Sequence, residues 1–461
     1  MVSTEHTLKS VAAGEGALRS ADLSLRSRAP WLARAWLTLA LSRWLLLTLI
    51  FLTAFTFRLA ANAKFEGLRE GPSLSGFGAD GEEFNAIASN LVTRHEYARD
   101  PGRPTSFRAP GFPFALAGVY LVFGANNYLA ARIFFCTIGA LLAIVLFFVA
   151  RIVIGERGAL LAAALAAIYP NLVYYNIHFA SEPLYTLLLC ASVWALLGAA
   201  KLRSPWLYGL SGGLLGLAAL TRPAALIFFP IFGVAILWLV LKPARREILK
   251  PAILGVALFC GAGVLTIAPW TARNYLVHDR FLVVASNGGS TLWGSNNEIV
   301  LGDPTLHGTW ITTETMADQK ANVQQLANEV DRDRMESDLG KQFLSTHLGD
   351  LPRLVWYKLR AFWTPVSATP NARFNLIMEL SYGPMLLLML LGFWFFARRY
   401  PAAQVTILMA PIAGTVLSSL VFYGSARFRC TIEPLLLVFA ALALKELLPK
   451  YSKFRPSGYT V

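Results

Sequence analysis

The chain is short of cysteine and of charge for its length. Its 461 residues include four Cys, and only 15% are Asp, Glu, Lys or Arg. Cys136, Cys190 and Cys260 lie inside apolar runs and Cys430 at the edge of one. None is paired at metal-ligand spacing, so neither a disulfide framework nor a zinc–thiolate site is expected. A Walker A sequence is missing, which leaves ATP-driven transport without support, and there is no zincin helix. Tandem repeats and low-complexity tracts are absent as well. The first 30 residues are polar and mildly basic and lack the apolar core and cleavage site of a signal peptide. They read as a disordered cytoplasmic tail.

Apolar sequence is abundant. Hydrophobic residues make up 56% of the chain, and the mean hydropathy is +0.52. A soluble domain carries about a quarter charged residues and only about half apolar ones. The excess here falls in runs long enough to cross a bilayer, which takes about 20 residues. Strands of a membrane barrel would instead alternate in short segments. The fold class expected is therefore all-α, a polytopic membrane protein of about ten transmembrane helices. Candidate spans are 36–59, 128–150, 157–176, 180–200, 205–221, 223–241, 251–271, 375–397, 401–423 and 430–448.

The formal charge of +14 would point to nucleic acid in a soluble protein. Here much of the positive charge sits in short loops between spans, where it sets orientation. Membrane lipid is the expected partner and nucleic acid is not. The segment 111–125 decides the topology. It is apolar but too short for a comfortable crossing. As an interfacial helix it leaves the Lys/Arg clusters at 151–157, 201–203, 242–250 and 398–399 on the inside with both termini. The pieces 60–110 and 272–374 then lie outside.

The organisation expected is a cytoplasmic tail over 1–35 and a transmembrane catalytic module over 36–271 whose first outer loop is 60–127. A second outer loop, 272–374, carries an interfacial helix mixing Trp/Tyr with Lys/Arg. Transmembrane helices over 375–448 and a cytoplasmic tail over 449–461 complete the chain.

On this topology several charged residues gather at the outer boundary, where desolvation makes a charge costly and marks it as functional. Asp80 opens an amphipathic helix whose apolar positions are Phe84, Ile87, Ala88 and Leu91. Its alternative role is that of a helix cap. Glu82 and Glu83 read as solvated first-turn acids. Glu182 lies in Ser181-Glu182-Pro183, four residues after His178, and the bland reading of that His as an interfacial residue is preferred to a metal pair. Arg108, in Phe107-Arg108-Ala109-Pro110-Gly111-Phe112-Pro113, either snorkels or binds a phosphate. Arg222, Arg273, Arg427 and Arg429 fall at outer span ends, against the inside bias, and call for anionic partners.

The order of these motifs resembles the polytopic glycosyltransferases of the GT-C superfamily. One span is followed by an outer Asp with an acidic pair, then Arg-Ala-Pro-Gly-Phe-Pro at 108–113. Next come Ser-Glu-Pro, Leu-Thr-Arg-Pro at 220–223, the loop segment 287–297, and Ala-Arg-Phe-Arg before Ile-Glu-Pro. The resemblance covers about 36–448 and is nearest to the bacterial branch similar to protein O-mannosyltransferases and the lipid A aminoarabinose transferase. It implies an inverting hexosyl or pentosyl transferase of the cell envelope. Such an enzyme moves a sugar from a polyprenyl-phosphate donor to a hydroxyl on a glycolipid, polysaccharide or protein. It implies a bacterial inner membrane, with cytoplasmic termini and a periplasmic active site.

Residue by residue, the resemblance makes Asp80 the first-loop catalytic acid and Glu182 the second. Arg108 becomes the basic residue at the donor phosphate, with Arg222, Arg427 and Arg429 assisting. Glu82, Glu83 and His178 are candidates for acceptor or metal contact, and a divalent ion is the cofactor the chemistry would accommodate. Gly81 separates Asp80 from Glu82, so the adjacent Asp-Glu pair of some members is absent, which argues against transferring protein O-mannosylation in particular. A transporter or flippase of lipid-linked sugars is the alternative. It would place polar groups at mid-membrane in broken, repeated helices.

Overall fold

The computed structural model describes residues 42–72, 80–241, 249–313, 316, 323, 325–365 and 372–448. Both tails, the basic stretch 242–248 and the residues just before Asp80 lie outside these. The chain divides into units 1–50 and 51–461. Of the first, the described part is the opening of helix α1, Ser42–Phe65.

All named elements among the described residues are helical. They continue with α2 (Asp80–Arg94), α3 (Gly111–Phe123), α4 (Tyr128–Ile168), α5 (Pro170–Asn176), α6 (Glu182–Leu202) and α7 (Pro205–Thr221). A 3-10 turn, Pro223–Ile227, leads into α8 (Phe228–Leu241) and α9 (Leu249–His278). The polar region holds α10 (Gly288–Ser295), α11 (Glu298–Gly302), α12 (Glu329–Thr346) and α13 (Leu351–Trp363). Helices α14 (Ala372–Arg399), α15 (Ala402–Val421), α16 (Ala426–Arg429) and α17 (Glu433–Leu447) finish the chain.

Six of these helices are long and apolar enough to cross a membrane: Ser42–Phe65, Tyr128–Ile168, Glu182–Leu202, Ile253–His278, Ala372–Arg399 and Ala402–Val421. The protein is thus a multi-pass membrane protein. The ten expected spans do not map one to one onto this set. The apolar runs at 128–150 and 157–176 merge into α4 through Gly155, whose φ of 80° kinks the helix, and the chain then breaks before Pro170. The runs at 205–221, 223–241 and 430–448 form helices α7, α8 and α17, each shorter than 18 residues.

Packing follows composition. Helix α17 is buried on every side from Glu433 to Ala443, and it runs against α4 and α14. An all-apolar helix of this kind belongs in a bundle centre. Helix α7 packs on α6 and α9. Helix α3 has 13 residues, about 20 Å at 1.5 Å per residue, short of a hydrocarbon core of about 30 Å. It lies on α2, with Phe84 set edge-on to Phe112 at 5.0 Å in a cluster that also takes in Phe135 and Phe179. Helix α13 buries only Leu354, Lys358 and Phe362, one stripe at four-residue spacing, and leaves Trp356 exposed.

Candidate active site

Six of the residues singled out in the sequence meet in one charged cluster. Helix α2 delivers Asp80 and Glu83, the loop before α3 delivers Arg108, and the start of α6 delivers Glu182. The end of α7 supplies Arg222, and the short helix α16 supplies Arg427. The Arg108 guanidinium donates to Asp80 Oδ1 at 2.6 Å and to Glu83 Oε2 at 2.5 Å. Arg427 reaches Asp80 Oδ2 at 2.7 Å and also donates to Glu182 Oε1. Arg222 donates to the same Glu182 oxygen at 2.5 Å and to Ser181 Oγ at 3.1 Å. Asp80 and Glu182 are therefore bridged by one guanidinium.

Local structure sets these positions. The three acids of the first α2 turn sit where the helix dipole favours negative charge. Arg108 is fixed through its backbone, because the Tyr97 hydroxyl donates to its carbonyl at 2.8 Å. The preceding strand of chain is held by Glu329 of α12, which accepts from Ser106 N at 2.5 Å and Thr105 Oγ1 at 2.8 Å. Gly111 starts α3 hard against the end of α7. A Cβ there would stand 2.5 Å from Thr221 Oγ1 and 2.9 Å from Thr221 N. Only glycine lets the Arg108 loop and Arg222 approach this closely.

Burial decides the electrostatics. Glu182 is fully buried, and its Oε2 has no hydrogen-bond partner among the described residues. Burial pushes the Asp80 carboxyl up, but Arg427 and Arg108 beside it more than reverse this and hold it at about 2. Burial by itself would raise this carboxyl's pKa, so neighbouring charge, rather than desolvation, sets its protonation. The cluster sets carboxylates of Asp80, Glu83 and Glu182 against guanidinium groups of Arg99, Arg108, Arg222 and Arg427. Cation charge is already present in excess, so these carboxylates as arranged do not fit a divalent ion. Among the described residues no group of three or more His, Cys, Asp or Glu side chains could hold a metal.

The other candidates fall elsewhere. Glu83, expected in solvent, is 8% exposed and bonded to Arg108 and Arg99, because α3 and the Arg108 loop cover the first turn of α2. Glu82 is exposed. His178 sits 3.4 Å from Glu66, with its ring edge-on to Tyr174. Burial, helped by Arg132 and Arg427, pushes its imidazole down to about 3 and keeps it neutral. Arg429 points away from the cluster. Its guanidinium is fully buried, pairs with Glu433 Oε1 at 2.9 Å and donates to the carbonyls of Phe362, Thr364 and Pro365. Arg273 likewise serves the fold, donating to Thr105 O at 2.9 Å and Ser106 Oγ at 2.7 Å.

Sequence reasoning missed Arg58 and Arg132, both fully buried on transmembrane helices. Arg132 donates to Asn62 Oδ1 at 2.9 Å, Ile177 O at 3.0 Å and Glu70 O at 3.0 Å, and so ties α4 to the loops on either side of the cluster. An Arg inside an apolar run was the available signal.

Known proteins resemble the chain in part of its sequence and in fold. Residues 107–270 match the family model described as dolichyl-phosphate-mannose-protein mannosyltransferase, a stretch that includes Arg108, Glu182 and Arg222. No curated protein sequence matches the chain. Among solved structures, the apo oligosaccharyltransferase of Archaeoglobus fulgidus is 14% identical, with a TM-score of 0.55 over 87% of this chain and 50% of that one. The oligosaccharyltransferase AglB of the same organism, in complex with an inhibitory peptide and a dolichol-phosphate, gives 0.52 at the same identity and coverage. ArnT from Cupriavidus metallidurans bound to undecaprenyl phosphate is 14% identical over 87% of this chain and 76% of that one, with a TM-score of 0.40. The chain spans about half the length of the oligosaccharyltransferases. The chain is a multi-pass helical membrane protein with the GT-C fold, similar over 107–270 to the dolichyl-phosphate-mannose-protein mannosyltransferases.

Proposed function

We propose that this protein is an inverting glycosyltransferase that uses a polyprenyl-phosphate-linked sugar and passes it to a hydroxyl acceptor. The observation that carries the reading is the Arg427 bridge: the half-buried Asp80 and the fully buried Glu182, on different elements, share one guanidinium, with Arg108 and Arg222 beside them. A resting cluster with excess guanidinium has room for one more anion, and a phosphate is the anion whose oxygens match that planar fork. The similarity of 107–270 to a dolichyl-phosphate-mannose-dependent family supports the same class of donor.

In the proposed step the acceptor oxygen attacks the anomeric carbon from the face opposite the phosphate. A carbon–oxygen bond forms, the bond from that carbon to the phosphate oxygen breaks, and its electron pair stays on the phosphate. Arg108, Arg222 and Arg427 stabilise the charge that develops there. Asp80 receives the proton of the acceptor hydroxyl. At about 2 its carboxyl is a weak base. When the donor phosphate takes over hydrogen bonds from Arg427 and Arg108, burial prevails and the carboxyl gains basicity. The base is thereby armed only with donor present. Glu182 Oε2, buried without a partner, is placed in this scheme as acceptor of a hydrogen bond from a substrate hydroxyl.

The site is assigned to the periplasmic face of a bacterial inner membrane, with both termini cytoplasmic, on the Lys/Arg distribution of the loops. The test is chemical. Lipids extracted from cells lacking the protein should accumulate one polyprenyl-phosphate sugar while one glycosylated product disappears. An unchanged lipid-linked sugar pool and an unchanged envelope glycan profile would refute the assignment.

A further inference from the structure

A second feature opens next to the cluster. A cleft of about 440 Å³ lies between the chain at 304–310, helix α13 and the turn at 423–425. Trp310, Tyr357 and Tyr423 line it, Thr309 and Ser425 add hydroxyls, and the exposed Arg360 stands at its edge. His307 stacks on Tyr357 with ring centroids 3.9 Å apart and planes 11° from parallel, which holds the Tyr357 ring in place.

The cleft is built rather than accidental. Gly424 N donates to Gly308 O at 2.9 Å, so its two loop walls are joined. Both glycines press on the α13 backbone: a Cβ on Gly424 would meet Lys358 O at 1.9 Å, and one on Gly308 would meet Tyr357 O at 2.3 Å. The buried Lys358 ammonium then donates to Asn296 Oδ1 at 2.7 Å and to the carbonyls of Leu420 and Val421 at 3.1 Å, tying α13 to the ends of α10 and α15. Trp310 is anchored by its indole N–H on Ser290 O at 3.1 Å.

The cleft also adjoins the charged cluster. Tyr423 lies 6.4 Å from Trp310 on the cleft side and 4.5 Å from Phe428 on the other. The Arg222 guanidinium sits over Phe428 at 5.6 Å. Ser425, a lining residue, accepts from Arg427 N at 3.1 Å and caps the helix that carries Arg427.

From this we infer that the cleft is the binding site for a pyranoside ring of the acceptor. Fixed aromatic faces offer the flat apolar surface that suits the C–H face of a sugar, and the interspersed hydroxyls and guanidinium suit its edge. Binding of a pyranoside is independent of the transferase reading; only the ligand's role as acceptor rests on it.

The experiment is saturation-transfer NMR on the full chain in lipid nanodiscs, with methyl α-mannopyranoside and methyl β-glucopyranoside as probes. Because it needs no turnover, a wrong transferase assignment leaves it untouched. At least one probe should show saturation of its ring C–H protons with the wild-type protein. That signal should fall by roughly threefold or more in Tyr357→Ala, which removes a stacking face, and in Arg360→Ala, whose exposed side chain can be removed without disturbing the fold. Silence from both probes on the wild-type protein, or undiminished signals in both variants, would overturn the inference.

Discussion

Arg427 and Asp80 are 2.7 Å apart although they come from opposite ends of the chain, and the same guanidinium also binds Glu182. The contact joins the start of α2 to the short helix α16 before the last helix. Whatever ligand enters must renegotiate it. The predictions that follow concern what each partner does in that exchange.

Removing Arg108 should weaken donor binding. Its two carboxylate contacts are 2.5 and 2.6 Å long, so the side chain is already positioned for anions. Arg108→Ala should raise the apparent KM for donor about tenfold or more, and Arg108→Lys should recover only part of it, because an ammonium lacks the planar fork. Initial-rate kinetics over a range of donor concentration provide the check. An unchanged KM in the Ala variant would remove Arg108 from the donor site.

Arg429 should behave differently from Arg427. Its guanidinium is committed to Glu433 and three carbonyls. Leaving these buried partners unmatched destabilises by on the order of 3 kcal/mol. Arg429→Ala should therefore lower the thermal midpoint of the purified protein while the KM for donor of the folded fraction stays as in wild type. A raised KM with unaltered stability would reverse this assignment.

The pH dependence follows from Asp80. Its folded value of about 2 lies below the ordinary 3.8. The ionised form thus stabilises the fold above about pH 4 by about 2 kcal/mol, and this is lost as pH falls through 2. In the donor-free enzyme, kcat/KM should show no acid limb from Asp80 in the ordinary assay range. Arg427→Gln removes a major lowering charge and leaves burial to act, so an acid limb should emerge at higher pH. A profile for Arg427→Gln that superimposes on wild type would show that Arg427 does not set the Asp80 carboxyl.

Glu182→Gln should cost stability. The change leaves Arg222 and Arg427 with a neutral partner in a fully buried position. A loss on the order of 3 kcal/mol is expected, read as a lowered thermal midpoint. Equal midpoints would show that the two guanidinium groups find compensation elsewhere.

Much of this site was legible in the sequence, and the misses have physical causes. Asp80, Arg108, Glu182, Arg222 and Arg427 stood out because an ion at a span edge is costly without a partner. Arg429 carried the same signal. It lies two residues after Arg427 on one short helix, about 200° around the axis at 3.6 residues per turn, and so faces Tyr382 and Glu433 instead. Glu83 was misread because helix position alone does not show that α3 covers the first turn of α2. Its partner Arg99 lies 16 residues along the chain. The helices themselves were visible as apolar runs. Their division was less so, because Gly155 bends α4 without ending it and the break comes at Tyr169–Pro170.

The central claim is best tested by comparing purified wild-type protein and Asp80→Asn in single-turnover reactions with polyprenyl-phosphate sugars from native membranes. Asparagine keeps the size of the side chain but cannot take the acceptor proton. The account predicts that both proteins fold, the variant with a lowered thermal midpoint, that wild type consumes one donor and transfers its sugar, and that the folded variant is slower by about a hundredfold or more. Transfer by Asp80→Asn within a fewfold of wild type would contradict it.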